Sequence, residues 1–232
     1  MPRSIALAGQ VLAIIGHETN NLGVPRPSRA VDEALLRAGR ELLPALGCRG
    51  LTQRALAAHA GVQPGMFHYH FGSKDAFLRA LLQQLYEELF AGLVAGVAGD
   101  GPAVERLQRG LLAIGGFVRA QHALVARLAA DAIDGSAVVH EFMRDNAPRH
   151  LGVLLQLLQQ AEQEGAVAPQ PPLQRLTFLL GATLAPMLVA PGVVALGLPM
   201  AAAAGTQVTS DAALASRIRR ALQALRAPEE IA

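Results

Sequence analysis

Cysteine and lysine are almost missing from this chain of 232 residues: each occurs once, as Cys48 and Lys74. One cysteine excludes an intrachain disulfide and fits a reducing compartment. Without a Cys-x-x-Cys spacing, cysteine-based zinc and iron–sulfur centres are excluded too. Charged residues make up only 16%, yet 52% apolar content excludes a disordered chain. Sustained alternation of period two is absent, which leaves helix as the regular structure and an all-α fold as the expectation. No nucleophile–base pair, carboxylate pair or phosphate loop is visible, so no catalytic residue, metal or cofactor is expected, and the chain does not read as an enzyme. The scarcity of lysine beside 19 arginines fits base-composition bias in the genome.

What charge there is lies unevenly. Residues 1–80 hold 9 basic and 5 acidic residues, net +4, whereas residues 81–232 hold 11 basic and 13 acidic, net −2. A basic head on a mildly acidic body suits a polyanion-facing module. Two apolar stretches bear on membranes. Residues 5–15 follow Arg3 but lack a small-residue cleavage site, and read as an N-terminal extension, an extra helix or the product of an upstream start codon. Residues 176–210 carry no charge, long enough to span a bilayer. Pro186, Pro191 and Pro199 are expected to break that stretch into shorter pieces that suit a buried or subunit-covered helix; a membrane-associated protein is the alternative.

Helical periodicity runs along most of the rest. Ser28 reads as an N-cap, with Asp32 and Glu33 near the positive end of the dipole, a kink or early end at Pro44, and Gly47 and Gly50 bracketing the exit. Thr52 caps a short helix to Ala60, Gly61 ends it, and Pro64 opens a second short helix to Phe71. Ser73 caps a long helix that fades from Gly92 to Gly99. Further helices are expected from 102, from about 123 to 133, from 136 to 164, from 173 to about 190, and from about 210 to 226, with Leu214, Ile218, Leu222 and Leu225 on one face of the last. The expected division is an extension at 1–27, a helix-turn-helix domain at 28–73, a connecting helix at 74–99, and a larger helical ligand-binding and dimerisation domain at 100–232.

Two short helices about a glycine turn, behind a longer helix, describe a helix-turn-helix. The string Leu51-Thr52-Gln53-Arg54-Ala55-Leu56-Ala57, Ala60-Gly61-Val62, Gly65-x-Phe67-x-Tyr69-His70-Phe71-x-Ser73-Lys74-Asp75-x-Phe77 resembles the DNA-binding signature of TetR-family transcriptional regulators, over about residues 29–80. The resemblance implies a role for each position. Thr52 and Lys74 would hold phosphates, with Gln53 and Arg54 at the groove edge. Gln63, Pro64, Gly65 and Met66 would lie at or near base edges, and His68, Tyr69 and His70 would touch phosphates or bases. Gln63 and His68 depart from the family's usual Ser or Thr and Tyr. Phe67, Phe71 and Phe77 read as core. His59, His68 and His70 are better explained by this motif than by a metal, having no carboxylate or cysteine at ligand spacing.

For the body, the resemblance implies a homodimer on a near-palindromic operator in double-stranded DNA. A small apolar effector would tilt the connecting helix and release the DNA, giving a cytoplasmic repressor. A helical small-molecule-binding enzyme is a further alternative. An uncharged helix in a soluble protein must be covered, and a partner's copy would do so. The last helix would join a four-helix interface. Phe117, His122, Phe142, Met143, His150, Phe178 and Met187 are the candidate ligand-binding residues, most of them competing with a plain core role.

Overall fold

The computed structural model describes residues 27–197 and 207–226, and within them it is helical with no strand. The N-terminal extension and Pro199 lie outside the described residues. The helices are α1 (Pro27–Gly50), α2 (Gln53–Ala60), α3 (Pro64–Phe71), α4 (Lys74–Val97), α5 (Ala103–Ala120), α6 (His122–Ile133), α7 (Ala137–Gln163), α8 (Pro172–Ala195) and α9 (Asp211–Ala224).

The head is α1 to α3 with the first turns of α4. Leu35, Leu43, Leu51, Leu56, Phe67 and Phe77 are each fully buried there, and Phe71 packs edge-on to Phe77 with ring centroids 5.0 Å apart. Local chemistry sets the boundaries. The Thr52 hydroxyl accepts from the Ala55 N–H at 3.1 Å, and Ser73 accepts from Ala76 at 3.1 Å. Gln63 caps α3 without a side-chain hydrogen bond, so Pro64 at the first position does that work. Gly61 ends α2 at φ 68°.

The opening of α1 corrects the sequence reading. Ser28 lies inside the helix rather than capping it, and no acidic residue falls in the first turn. Nor does Pro44 break α1. The break is at Gly47, with φ 66° and ψ 174°, where the helical ladder is interrupted. That frees the Cys48 N–H, which donates to Asp131 Oδ2 of α6 at 2.8 Å. Asp131 is 3% exposed and also takes Arg127 Nη2 on Oδ1 at 2.5 Å. Burial pushes this carboxyl up, but the hydrogen bonds from Arg127 and Cys48 outweigh it and hold it below its ordinary value. The Cys48 thiol is pushed up to about 12 by burial and then by Asp131, which leaves it unreactive. A Cβ on Gly47 would run into the Arg127 guanidinium, so the glycine is required by both conformation and space.

The body is built around α5. It packs along α4, α7, α8 and α9, and meets α6 at a bend of 90°. Small residues let helices approach: a Cβ on Gly110 would lie 2.8 Å from Val97, and one on Gly115 2.8 Å from Leu214. This is why α4 continues through Gly92 and Gly96 rather than fading. Ion pairs join α4 to its neighbours: Arg40 reaches Glu88 through two bonds of 2.6 Å, Arg149 reaches Glu87 at 2.7 Å, and Arg79 pairs with Glu141. Between them the Tyr86 hydroxyl donates to the Asn146 carbonyl at 2.7 Å and lies 3.3 Å from His150 Nδ1. Burial lowers the His150 imidazole below its ordinary range.

Two further expectations change. The prolines do not divide α8, which runs unbroken through Pro186 and Pro191 for 24 residues with a mean hydropathy of 1.9 over its most apolar stretch. A proline costs one ladder bond, but the buried face carrying Leu179, Thr183, Met187 and Ala190 packs on both sides of Pro186 and holds the helix together. It is therefore long enough to cross a membrane. The apolar face of α9, with Leu214, Ile218, Leu222 and Leu225, is buried within the chain against α5 and α8 rather than presented outward.

Replacing Asp131 with Asn removes the charge that Arg127 and Cys48 share, and denaturant unfolding should show a loss of about 1–3 kcal/mol. Gly47→Ala should cost at least about 1 kcal/mol from its positive φ alone, and more from the displaced Arg127. For His150 the folded state binds its proton later than the unfolded chain. Stability should therefore fall as pH drops below the ordinary histidine value of about 6.5, and His150→Gln should flatten that part of the stability–pH curve.

Candidate nucleic-acid interface and a cavity in the body

The outer side of α2 and α3 presents a run of exposed residues. Thr52, Gln53, Arg54, Gln63, Pro64, Gly65, His68 and Tyr69 are exposed, Tyr69 at 79%, while Met66 is half-buried. Phe67 points the other way, 0% exposed, stacked at 5.3 Å on Phe77. A helix of eight residues thus anchors by one ring and presents the rest. No acidic residue occurs between Glu41 and Asp75. Among the described residues Arg54 has no carboxylate partner, so its charge is available at the surface.

Two residues of the motif are held differently from expectation. His70 is not displayed: its side chain is 4% exposed, and Nδ1 lies 2.5 Å from Asp32 Oδ1 of α1. It joins α3 to α1, so its role is to set the angle of the helix. Lys74 is half-buried, and Nζ donates to the Arg49 carbonyl at 3.2 Å, closing the frayed end of α1. Two of its three N–H donors remain for an anion. His59 pairs with Glu41 at 2.6 Å, and no group able to hold a metal is found among the described residues.

Arg49 was not singled out by the sequence. It is exposed, has no carboxylate partner among the described residues, and adjoins the Lys74 amine through its own carbonyl. Its place follows from the break at Gly47 two residues earlier, one of the two glycines that bracket the helix exit in sequence.

The candidate ligand residues do not form one site. His122 and Met187 line a cavity of about 290 Å³ with Arg119, Ala190, Pro191 and Val194. Phe142 and His150 belong instead to the packed Tyr86 cluster, where Phe142 meets the Tyr86 ring at 5.9 Å. Phe117 is half-buried, whereas Met143 and Phe178 are exposed at 45% and 46%. Spacing on a helix could not separate these, because all seven lie at positions compatible with a packed face. Arg119, which the sequence reading passed over, does line the cavity and pairs with Asp211 at 2.6 Å.

Residues 35–81 match the family described as bacterial regulatory proteins, tetR family. The chain is 43% identical over 53 residues to the class C tetracycline repressor protein of Escherichia coli, a match covering 23% of this chain and 24% of that protein. It is 22% identical over 135 residues to the HTH-type transcriptional regulator UidR of Escherichia coli, covering 58% of this chain and 68% of UidR. In fold it is similar to Salmonella enterica GusR, with a TM-score of 0.62, 19% identity, and coverage of 88% of this chain and 100% of that one. PfmR of Thermus thermophilus gives a TM-score of 0.63 at 17% identity, covering 82% and 97%. The matched relatives are named as regulators rather than enzymes, and residues 35–81 of this chain carry the domain described as bacterial regulatory proteins, tetR family.

Proposed function

We propose that this protein is a cytoplasmic, homodimeric repressor that holds a near-palindromic operator through α2 and α3 and releases it when a small apolar molecule enters the body. The observation that carries the DNA reading is the outer side of α2–α3, free of acidic residues and anchored from behind by Phe67. Thr52, at the capped start of α2, and Lys74 and Arg49, beside the start of α4, would position the backbone. Arg54, Gly65, His68 and Tyr69 would face the groove, with Pro64 and Met66 offering only apolar contact. His70 acts from behind, through Asp32.

Dimerisation is supported by α8. The chain itself buries only 22% of that helix's most apolar stretch, and Phe178, Val189 and Leu196 are exposed along its length beside Gly181, Ala185 and Gly192. Small residues between large ones suit a close crossing with a second copy about a two-fold axis. Two heads then reach successive major grooves.

For release, the cavity takes its walls from α5, α6 and α8, with none from α4. The route to the head that this favours is α6 rather than a direct tilt of α4. His122 opens α6 at the cavity, and Asp131 near its other end grips Cys48 of α1. A ligand that binds one position of α6 better than another would shift α1, and with it the spacing of the heads.

Binding to a site recovered from a random DNA pool should weaken steeply with salt. Arg54→Ala should cost about 1–3 kcal/mol of affinity while leaving the melting temperature unchanged, and Lys74→Ala should reduce the salt slope by about one. Phe67→Ala should instead lose about 3–5 kcal/mol of stability. Salt-insensitive binding, or normal binding by Arg54→Ala, contradicts the interface. Ala185→Glu should turn a sedimenting dimer into a monomer; recovery of the wild-type chain in the membrane fraction would contradict the dimer reading and favour a spanning α8.

A further inference from the structure

The cavity has two unlike ends. Met187 and Ala190, 1% and 7% exposed, form an apolar wall with Pro191 and Val194. The other end is cationic and short of acceptors. Arg119 gives Nη2 to Asp211 at 2.6 Å, but its Nε is buried with no hydrogen-bond partner among the described residues. Arg217, which does not itself line the cavity, gives Nη1 to the carbonyl of Val208, next to the cavity-lining Thr209, and its Nε and Nη2 are likewise buried without partners among the described residues. Buried guanidinium donors without acceptors are uncommon and costly. Among the described residues the carboxylate paired with Arg119 is Asp211, which is 77% exposed and therefore well hydrated.

Resting on the effector reading above, we propose that the cavity binds a compact amphipathic carboxylate, with its apolar body against Met187, Ala190 and Val194 and its carboxylate at the Arg119 guanidinium. A neutral ligand of the same shape would fill the apolar part and leave the donors unsatisfied. An amine would meet the Arg119 guanidinium. A carboxylate supplies the acceptor and the opposite charge in a partly dehydrated place, where charge-assisted bonds are strongest. The volume of about 290 Å³ lies at the small end of ligand pockets, about 300–1,000 Å³, and favours a medium-length chain or a single ring over a large polycyclic molecule. Asp211 is the intramolecular competitor that the ligand's carboxylate displaces or joins, and it sits at the first position of α9.

Calorimetric titration of the full-length protein with octanoate, octan-1-ol and octylamine tests this. Octanoate should bind at least about tenfold more tightly than octan-1-ol, with octylamine weakest. Arg119→Gln should erase the difference between octanoate and octan-1-ol. Asp211→Asn, which frees Arg119 without shortening the side chain, should tighten octanoate alone, and it keeps the test decisive if the Arg119 variant misfolds. Equal binding of octanoate and octan-1-ol by the wild type overturns the carboxylate and leaves the apolar effector standing. Binding of none of the three overturns both. Unchanged octanoate affinity in a folded Arg119→Gln protein overturns the assignment to that residue.

Discussion

One shared carboxylate joins the two halves of this chain. Asp131 takes the N–H that α1 releases where Gly47 breaks it, and the guanidinium that fills the space above that glycine. Alone, either bond would be an ordinary polar contact. Buried together they fix α6 against α1, and the direction of α1 then fixes where α2 and α3 can go. The same arrangement explains why Cys48 is inert and why the Arg49 carbonyl meets the Lys74 amine. A charged latch of this kind does not add much net stability, since desolvation offsets most of its Coulomb energy. Its effect is to make one relative placement of head and body much better than the others.

The head solves a packing problem with very few residues. An eight-residue helix is too short to be stable alone in water, so α3 has to be held by tertiary contacts. Phe67 enters the core between Phe71 and Phe77, and His70 pairs with Asp32 from the flank. These two anchors leave the remaining side facing solvent, and no acidic residue lies within reach in sequence to repel a polyanion. Stability and recognition therefore sit on different residues of the same two turns.

Much of this was legible in the sequence. Thr52, Gly61, Pro64 and Ser73 act locally, through capping hydroxyls, a left-handed turn and a fixed φ, and so the short helices fall where their residues indicate. The departures share a cause. Pro44 and Pro186 are local helix breakers that tertiary packing overrides, while Gly47, one of two glycines that bracket the helix exit in sequence, breaks α1 where Arg127 and Asp131 of another helix meet it. His70 carries the same letter as exposed His68, and only the fold shows that one faces Asp32 and the other solvent. The apolar face of α9 has the spacing of an interface, yet α5 and α8 already cover it. The cavity was the least legible feature, because its defining groups come from α5, α6, α8 and residue 209, and its charge comes from Arg119 rather than from any apolar pattern.

The central claim is that two copies of this chain place α3 in successive major grooves. Hydroxyl-radical footprinting of the full-length protein, on a site selected from random DNA, tests that most directly. The account predicts two protected patches related by a two-fold axis, with their centres about one helical turn of about 10 base pairs or more apart, and no second patch when Ala185→Glu is used. A single patch from the wild-type protein, or protection with no symmetry between half-sites, would contradict it.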